Sequence, residues 1–69
     1  MTARAKIWRN TIEAGTKTLH ECPDKYRDEV IRLIRQDIED NKFTLEMLQK
    51  LVEEGKMSWD EYNEIVGEI

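Results

Sequence analysis

A fourteen-residue unit occurs twice in immediate succession, EDNKFTLEMLQKLV over 39–52 followed by EEGKMSWDEYNEIV over 53–66. Each copy reads two acids, a turn residue, lysine, an apolar residue, a hydroxyl residue and then a helical run. Each unit is too short to bury its own apolar face and has to stack on a neighbour. The repeat therefore predicts an all-α protein. The expected architecture is a compact bundle of three to four short helices, about 3–14, 23–40, 44–54 and 58–66, with no strands.

Local signals place these helices. Over 3–14, Ala5, Trp8 and Ile12 share a stripe that Ile7 widens, and Gly15 supplies a left-handed stop. A connection follows in which Thr18 and Glu21 suit the capping of a single turn, and Pro23 fits the first position of the next helix. Tyr26, Val30, Leu33, Ile34 and Ile38 recur at i, i+4, i+7, i+8 and i+12, an amphipathic helix ended by Asn41. Its Lys25/Glu29 and Asp28/Arg32 pairs contribute ~0.2–0.5 kcal/mol each, so burial of the apolar stripe must hold it in place. Thr44 is the expected N-cap of the third helix, which Gly55 ends. Ser58 with Glu61 forms a complete capping box for the fourth. Connections of only a few residues place consecutive helices side by side. The expected core sets Leu45, Leu48, Leu51, Val52, Trp59, Tyr62 and Ile65 against Val30, Leu33, Ile34 and Ile38.

Sixty-nine residues make one small domain, which hides only roughly 60% of its unfolded surface and gains from a partner. One cysteine, Cys22, allows no internal disulfide. Arg4, Lys6 and Arg9 interrupt any signal-like apolar run, so a reducing cytoplasm is expected. No apolar stretch approaches the ~20 residues of a membrane span. Charge is segregated: residues 1–17 carry a formal +3 and residues 39–69 a formal −6. Such polarity is read first as a solvated surface whose charges happen to segregate; the other reading is a basic first helix steered toward an acidic partner or the acidic end of another copy.

The residues offer little for chemistry. GKMSWDEY, 55–62, matches the second half of an EF-hand loop, but the first-half ligand positions fall on Lys50 and Val52, so calcium is not expected. A helix-turn-helix reading would put Asp60, Glu61 and Glu64 against phosphates, so nucleic acid is disfavoured as a partner; any contact with it would run through Arg4, Lys6 and Arg9. His20 and Cys22 sit two apart in a short connection, where a nucleophile–base pair lacks its orienting third group. They are read as a loop histidine and a cysteine used as a small apolar residue. Two ligands also fall short of a zinc site. No catalytic residue, metal or cofactor is expected, and the carboxylates are read as helix-start and exposed groups. Core packing is the expectation for Trp8, Trp59, Tyr26, Tyr62 and Phe43. Five aromatics with Met47 and Met57 nonetheless strain so small a bundle, and any surplus would surface as a partner-binding patch. Trp8, Trp59, Tyr62, Arg4 and Arg9 are the candidate contact residues.

Gly55, Lys56, Ser58, Asp60, Glu61, Tyr62, Ile65 and Gly67 give the segment LQKLVEEGKMSWDEYNEIVG a resemblance to two groups of small proteins. One is the short C-terminal helical-hairpin (SHOCT-like) domain; the other is the XkdX type of phage and prophage tail-region protein. WRNTIEAGTKT and CPDKY are also similar to small phage-encoded proteins. Val66 departs from the phage pattern, which has threonine there, and the long second helix is foreign to its shortest members. The resemblance implies no enzyme. It implies a phage or prophage assembly or accessory module, cytoplasmic or virion-associated, that acts by protein–protein contact and self-association. A nucleic-acid-associated regulator acting through the basic first helix is the alternative.

Overall fold

Helix stops of one kind divide the chain. In the computed structural model, which describes residues 3–67, Gly15, Asn41 and Gly55 take left-handed backbone conformations, with φ of 79°, 62° and 77°. At each stop two backbone N–H groups turn back onto the final helical turn. Gly15 and Thr16 donate to the carbonyls of Ile12 and Thr11, Asn41 and Lys42 to Ile38 and Asp37, and Gly55 and Lys56 to Val52 and Leu51, all at 2.8–3.2 Å. Carbonyls that a helix end would leave unpaired are thereby satisfied. The helices so delimited are α1 (Ala3–Glu13), α2 (Asp24–Glu39), α3 (Leu45–Glu53) and α4 (Trp59–Val66), with a 3₁₀ turn at Leu19–Glu21 between α1 and α2. The described residues contain no strand. Glu68, counted in the acidic half, lies outside the described residues.

The repeat is a stop, an anchor and a start. After each left-handed residue and its lysine comes a buried apolar side chain, Phe43 or Met57, and then a hydroxyl N-cap. The Thr44 hydroxyl accepts from the Met47 N–H at 3.1 Å. Ser58 does the same for the Glu61 N–H at 3.1 Å, and the Glu61 carboxylate returns to the Ser58 N–H at 2.9 Å. Only the second copy closes the box, because the third helical position holds Glu61 there and Met47 in the first.

Two start signals act one step differently from expectation. Pro23 precedes the helix: its ψ of 141° is non-helical, and its carbonyl accepts the Tyr26 N–H at 3.0 Å. Thr18 starts the 3₁₀ turn through its backbone carbonyl, which takes the Glu21 N–H at 3.2 Å; its side chain makes no capping bond.

Packing centres on α2. Both α1 and α4 lie against it, and α3 meets α4. Although consecutive in the chain, α2 and α3 share less contact than α2 and α4, so the side-by-side expectation fails at that one junction. Ala5 and Ile12, Val30 and Ile34, Leu48 and Ile65 are enclosed. Leu19 and Cys22 are buried with them, so the α1–α2 connection is part of the core. The radius of gyration, 10.7 Å, matches the roughly 11 Å of a packed domain this size. A polar clamp adds to the apolar contact: the Arg35 guanidinium, on α2, donates to the carbonyls of Ile65 and Glu64 at 2.6 Å each, capping α4 from outside.

Three expected core residues are corrected. Ile7 is 60% exposed, Trp59 55% exposed, and Leu45 is also on the surface. At about 100° per residue, Ile7 points some 160° away from Ala5, on the opposite side of α1. Trp59 lies about 120° from Ile65, because the core-facing row of α4 is Glu61 and Ile65.

Two glycine substitutions separate conformation from space. A Cβ at Gly55 would meet nothing within 4 Å, whereas one at Gly15 would lie 2.8 Å from Lys56 Cδ and 3.1 Å from Leu51 Cδ2. Gly55→Ala is expected to cost about 1–2 kcal/mol through its left-handed φ alone, and Gly15→Ala more. Urea denaturation of both variants checks the order; equal losses would refute it.

Candidate functional site

A second face of α1 carries an apolar groove, smaller than the polar one of about 670 Å³ between α2 and α4. Arg4, Ile7, Trp8 and Thr11 recur at i, i+3, i+4 and i+7, and with Lys17 they line an open groove of about 400 Å³. Its floor is half-buried Trp8, whose inner edge packs against the core, and its exposed wall is Ile7. The α1 stop completes it. The Thr11 carbonyl accepts from the N–H groups of Thr16 at 3.0 Å and Lys17 at 3.4 Å, which folds the chain back until Lys17 Nζ stands 6.0 Å from the centre of the Trp8 ring. That is the outer limit of a cation–π contact, so the ammonium serves mainly to make the groove rim positive.

A second aromatic feature lies where α3 meets α4. Trp59 and Tyr62 stand edge to face with ring centres 5.2 Å apart, and Gln49 of α3 donates to the Tyr62 hydroxyl at 3.2 Å. Glu46 and Glu53, three residues before and four after Gln49, share its side of α3. Asp60 adjoins Trp59. The candidate contact residues thus fall into two groups, Arg4 with Trp8 and Trp59 with Tyr62. Arg9 joins neither, because its guanidinium Nε lies 3.5 Å from the Asp37 carboxylate.

Not every carboxylate is an exposed or helix-start group, contrary to expectation. Asp37 is only 7% exposed, and Glu13 lies against it across the α1–α2 contact. Burial, then the hydrogen bond to Asp37 and its charge, push the Glu13 carboxyl up to about 8, with Arg9 opposing. Its buried Oε2 has no hydrogen-bond donor to accept from, which adds to the cost of ionising the carboxyl. Glu61, 3% exposed, has the opposite balance. Burial raises it, but hydrogen bonds from Ser58 and the His20 N–H, with the His20 charge, outweigh burial and hold it below the ordinary carboxylate value. The His20 N–H reaches Glu61 Oε2 at 3.1 Å, so one side chain both caps α4 and pins the α1–α2 connection.

The His20 side chain is exposed, with Nδ1 3.9 Å from Glu61 Oε1, while the Cys22 thiol is enclosed and pushed up by burial, against a lesser lowering by Arg27. A raised thiol is the reverse of an activated nucleophile. Among the described residues no three His, Cys, Asp or Glu side chains are grouped to hold a metal ion, and no helix is long and apolar enough to cross a membrane.

The i, i+3, i+4, i+7 set on α1 was available in the sequence as a second stripe, hidden because Trp8 was assigned to the first. Asp37 stands seven residues after Val30, four after Leu33 and three after Ile34, so its place on the buried stripe of α2 was the sequence signal that set it apart from its solvated neighbours.

Half-buried Glu13 and buried Glu61 predict opposite pH dependences. Glu61, depressed in the fold, stabilises above its unfolded value near 4.5, and this is lost as pH falls through its folded value. Glu13, raised to about 8, stabilises fully below 4.5 and loses that contribution as pH rises toward 8. Thermal unfolding from pH 3 to 9 should show Glu13→Gln flattening the decline between pH 4.5 and about 8, and Glu61→Gln flattening the loss below pH 4.5; an unchanged slope between pH 4.5 and 8 in Glu13→Gln would contradict the pairing with Asp37. Comparison with protein-family models, with curated proteins and with solved structures gave no match for this chain.

Proposed function

We propose that this protein acts by contact and not by catalysis, as a small helical assembly module whose working surface is the Arg4–Ile7–Trp8–Thr11–Lys17 face of α1. The observation that carries this reading is the exposure of Ile7 beside half-buried Trp8 on a helix whose other face already fills the core. An apolar floor with aromatic and arginine neighbours is the composition of interface centres. The groove volume sits near the low end of the ~300–1,000 Å³ typical of ligand sites, and its open form suits an inserted side chain. Basic rim residues select an acidic partner and speed its encounter. The likeness of the C-terminal segment to phage tail-region and helical-hairpin proteins supports a phage or prophage setting, in the host cytoplasm or on the virion.

A photo-reactive apolar residue at position 7, compared with one at exposed Glu39, tests the reading in expressing cells. Protein adducts are expected at position 7 and should fall at least severalfold with Arg4→Glu and Lys17→Glu. Equal adduct yields at the two positions would refute the surface. Adducts to nucleic acid, with duplex binding that weakens steeply with salt, would favour the regulator reading instead.

A further inference from the structure

The α1 groove is apolar within and cationic at its rim, where Arg4 and Lys17 stand; the one acid of the first seventeen residues, Glu13, faces Asp37 inside the fold. Residues 45–66 expose five acids, Glu46, Glu53, Glu54, Asp60 and Glu64, against two lysines, Lys50 and Lys56, and Trp59 is the most exposed apolar side chain among them. The two surfaces share no residue. Each copy therefore carries one socket and one complementary plug. We infer that the occupant of the α1 groove is a second copy of this chain, which inserts the indole of its Trp59, so that copies join head to tail.

This inference rests on the working surface proposed above and names its partner. Charge decides the arrangement. A two-fold pairing of two α1 grooves would set Arg4 and Lys17 of one copy among those of the other, and a pairing of two Trp59 corners would oppose Asp60 and Glu53 to themselves. Like charges so placed are repulsive. Groove against corner instead brings Arg4 and Lys17 to Asp60 and Glu53 while Trp59 and Ile7 leave water together. A contact between two different surfaces of one protein does not close on itself in a dimer. It continues until a ring forms or a filament grows.

Sedimentation velocity on the intact chain, from micromolar to about millimolar concentration, tests this. Sedimentation coefficients should rise with concentration and fall back in high salt. Ile7→Glu, which disables the groove, and Trp59→Ala, which disables the corner, should each stay monomeric with unchanged helical circular dichroism. An equimolar mixture of the two should form one-to-one dimers and nothing larger, because one working groove and one working corner remain. Charge reversal at exposed sites, Arg4→Glu with Lys17→Glu in one copy and Glu53→Lys with Asp60→Lys in another, provides a second complementing pair should either apolar variant misfold. A monomeric wild type at every concentration, undiminished assembly of Trp59→Ala, or a mixture that stays monomeric would overturn the inference. If the wild type is monomeric while position-7 adducts persist, self-association falls and the α1 surface stands; if the adducts also vanish, both fall.

Discussion

Val30 and Ile34, one turn apart on α2, are fully enclosed by partners that come from both ends of the described chain. Burial of each such side chain is worth about 1.5–3 kcal/mol, several times the few tenths available from an ion pair along the same helix. α2 is consequently the surface on which the other elements are assembled. α1 covers one part with Ala5 and Ile12, and α4 covers another with Ile65. α3 is held through α4 and through the anchors at its ends, Phe43 and Met57. The α1–α2 connection is drawn in by Leu19 and Cys22.

Polar groups tie what the apolar contacts bring together. Arg35 caps α4 from α2, and Glu61 reaches back from α4 to the His20 N–H. Both bonds span more than twenty residues of sequence and fix the short, eight-residue α4 at its two ends. Glu61 explains the exposure of Trp59 as well. A carboxylate that must meet the Ser58 and His20 N–H groups occupies the core-facing row, and the indole one row away is turned outward. Glu13 and Asp37 follow a different rule: burial and the neighbouring Asp37 disfavour ionisation of Glu13, with Arg9 opposing, which makes that contact sensitive to pH.

The surface left over has a physical origin. Four helices of eight to sixteen residues have too little interior for every aromatic and long aliphatic side chain. Once the Ala5–Ile12 face of α1 is spent on α2, Ile7 and the outer edge of Trp8 have nothing left to cover them. The stop at Gly15 then brings Lys17 over Trp8, and an apolar strip becomes a groove with a charged rim.

Local signals were enough to determine the helices, their three left-handed stops, the Thr44 and Ser58 caps and the all-α class, because each depends on the conformational preferences of residues within one turn of one another. The stripe of α2 was equally legible, since long amphipathic periodicity has few alternatives. Which of two possible stripes on α1 faces inward, whether Trp59 or Glu61 takes the inner row of α4, that α4 and not α3 lies on α2, and that Glu13 meets Asp37 were decided only by tertiary structure. Those outcomes depend on contacts between residues twenty or more positions apart, and a residue's own neighbours in sequence carry no record of them.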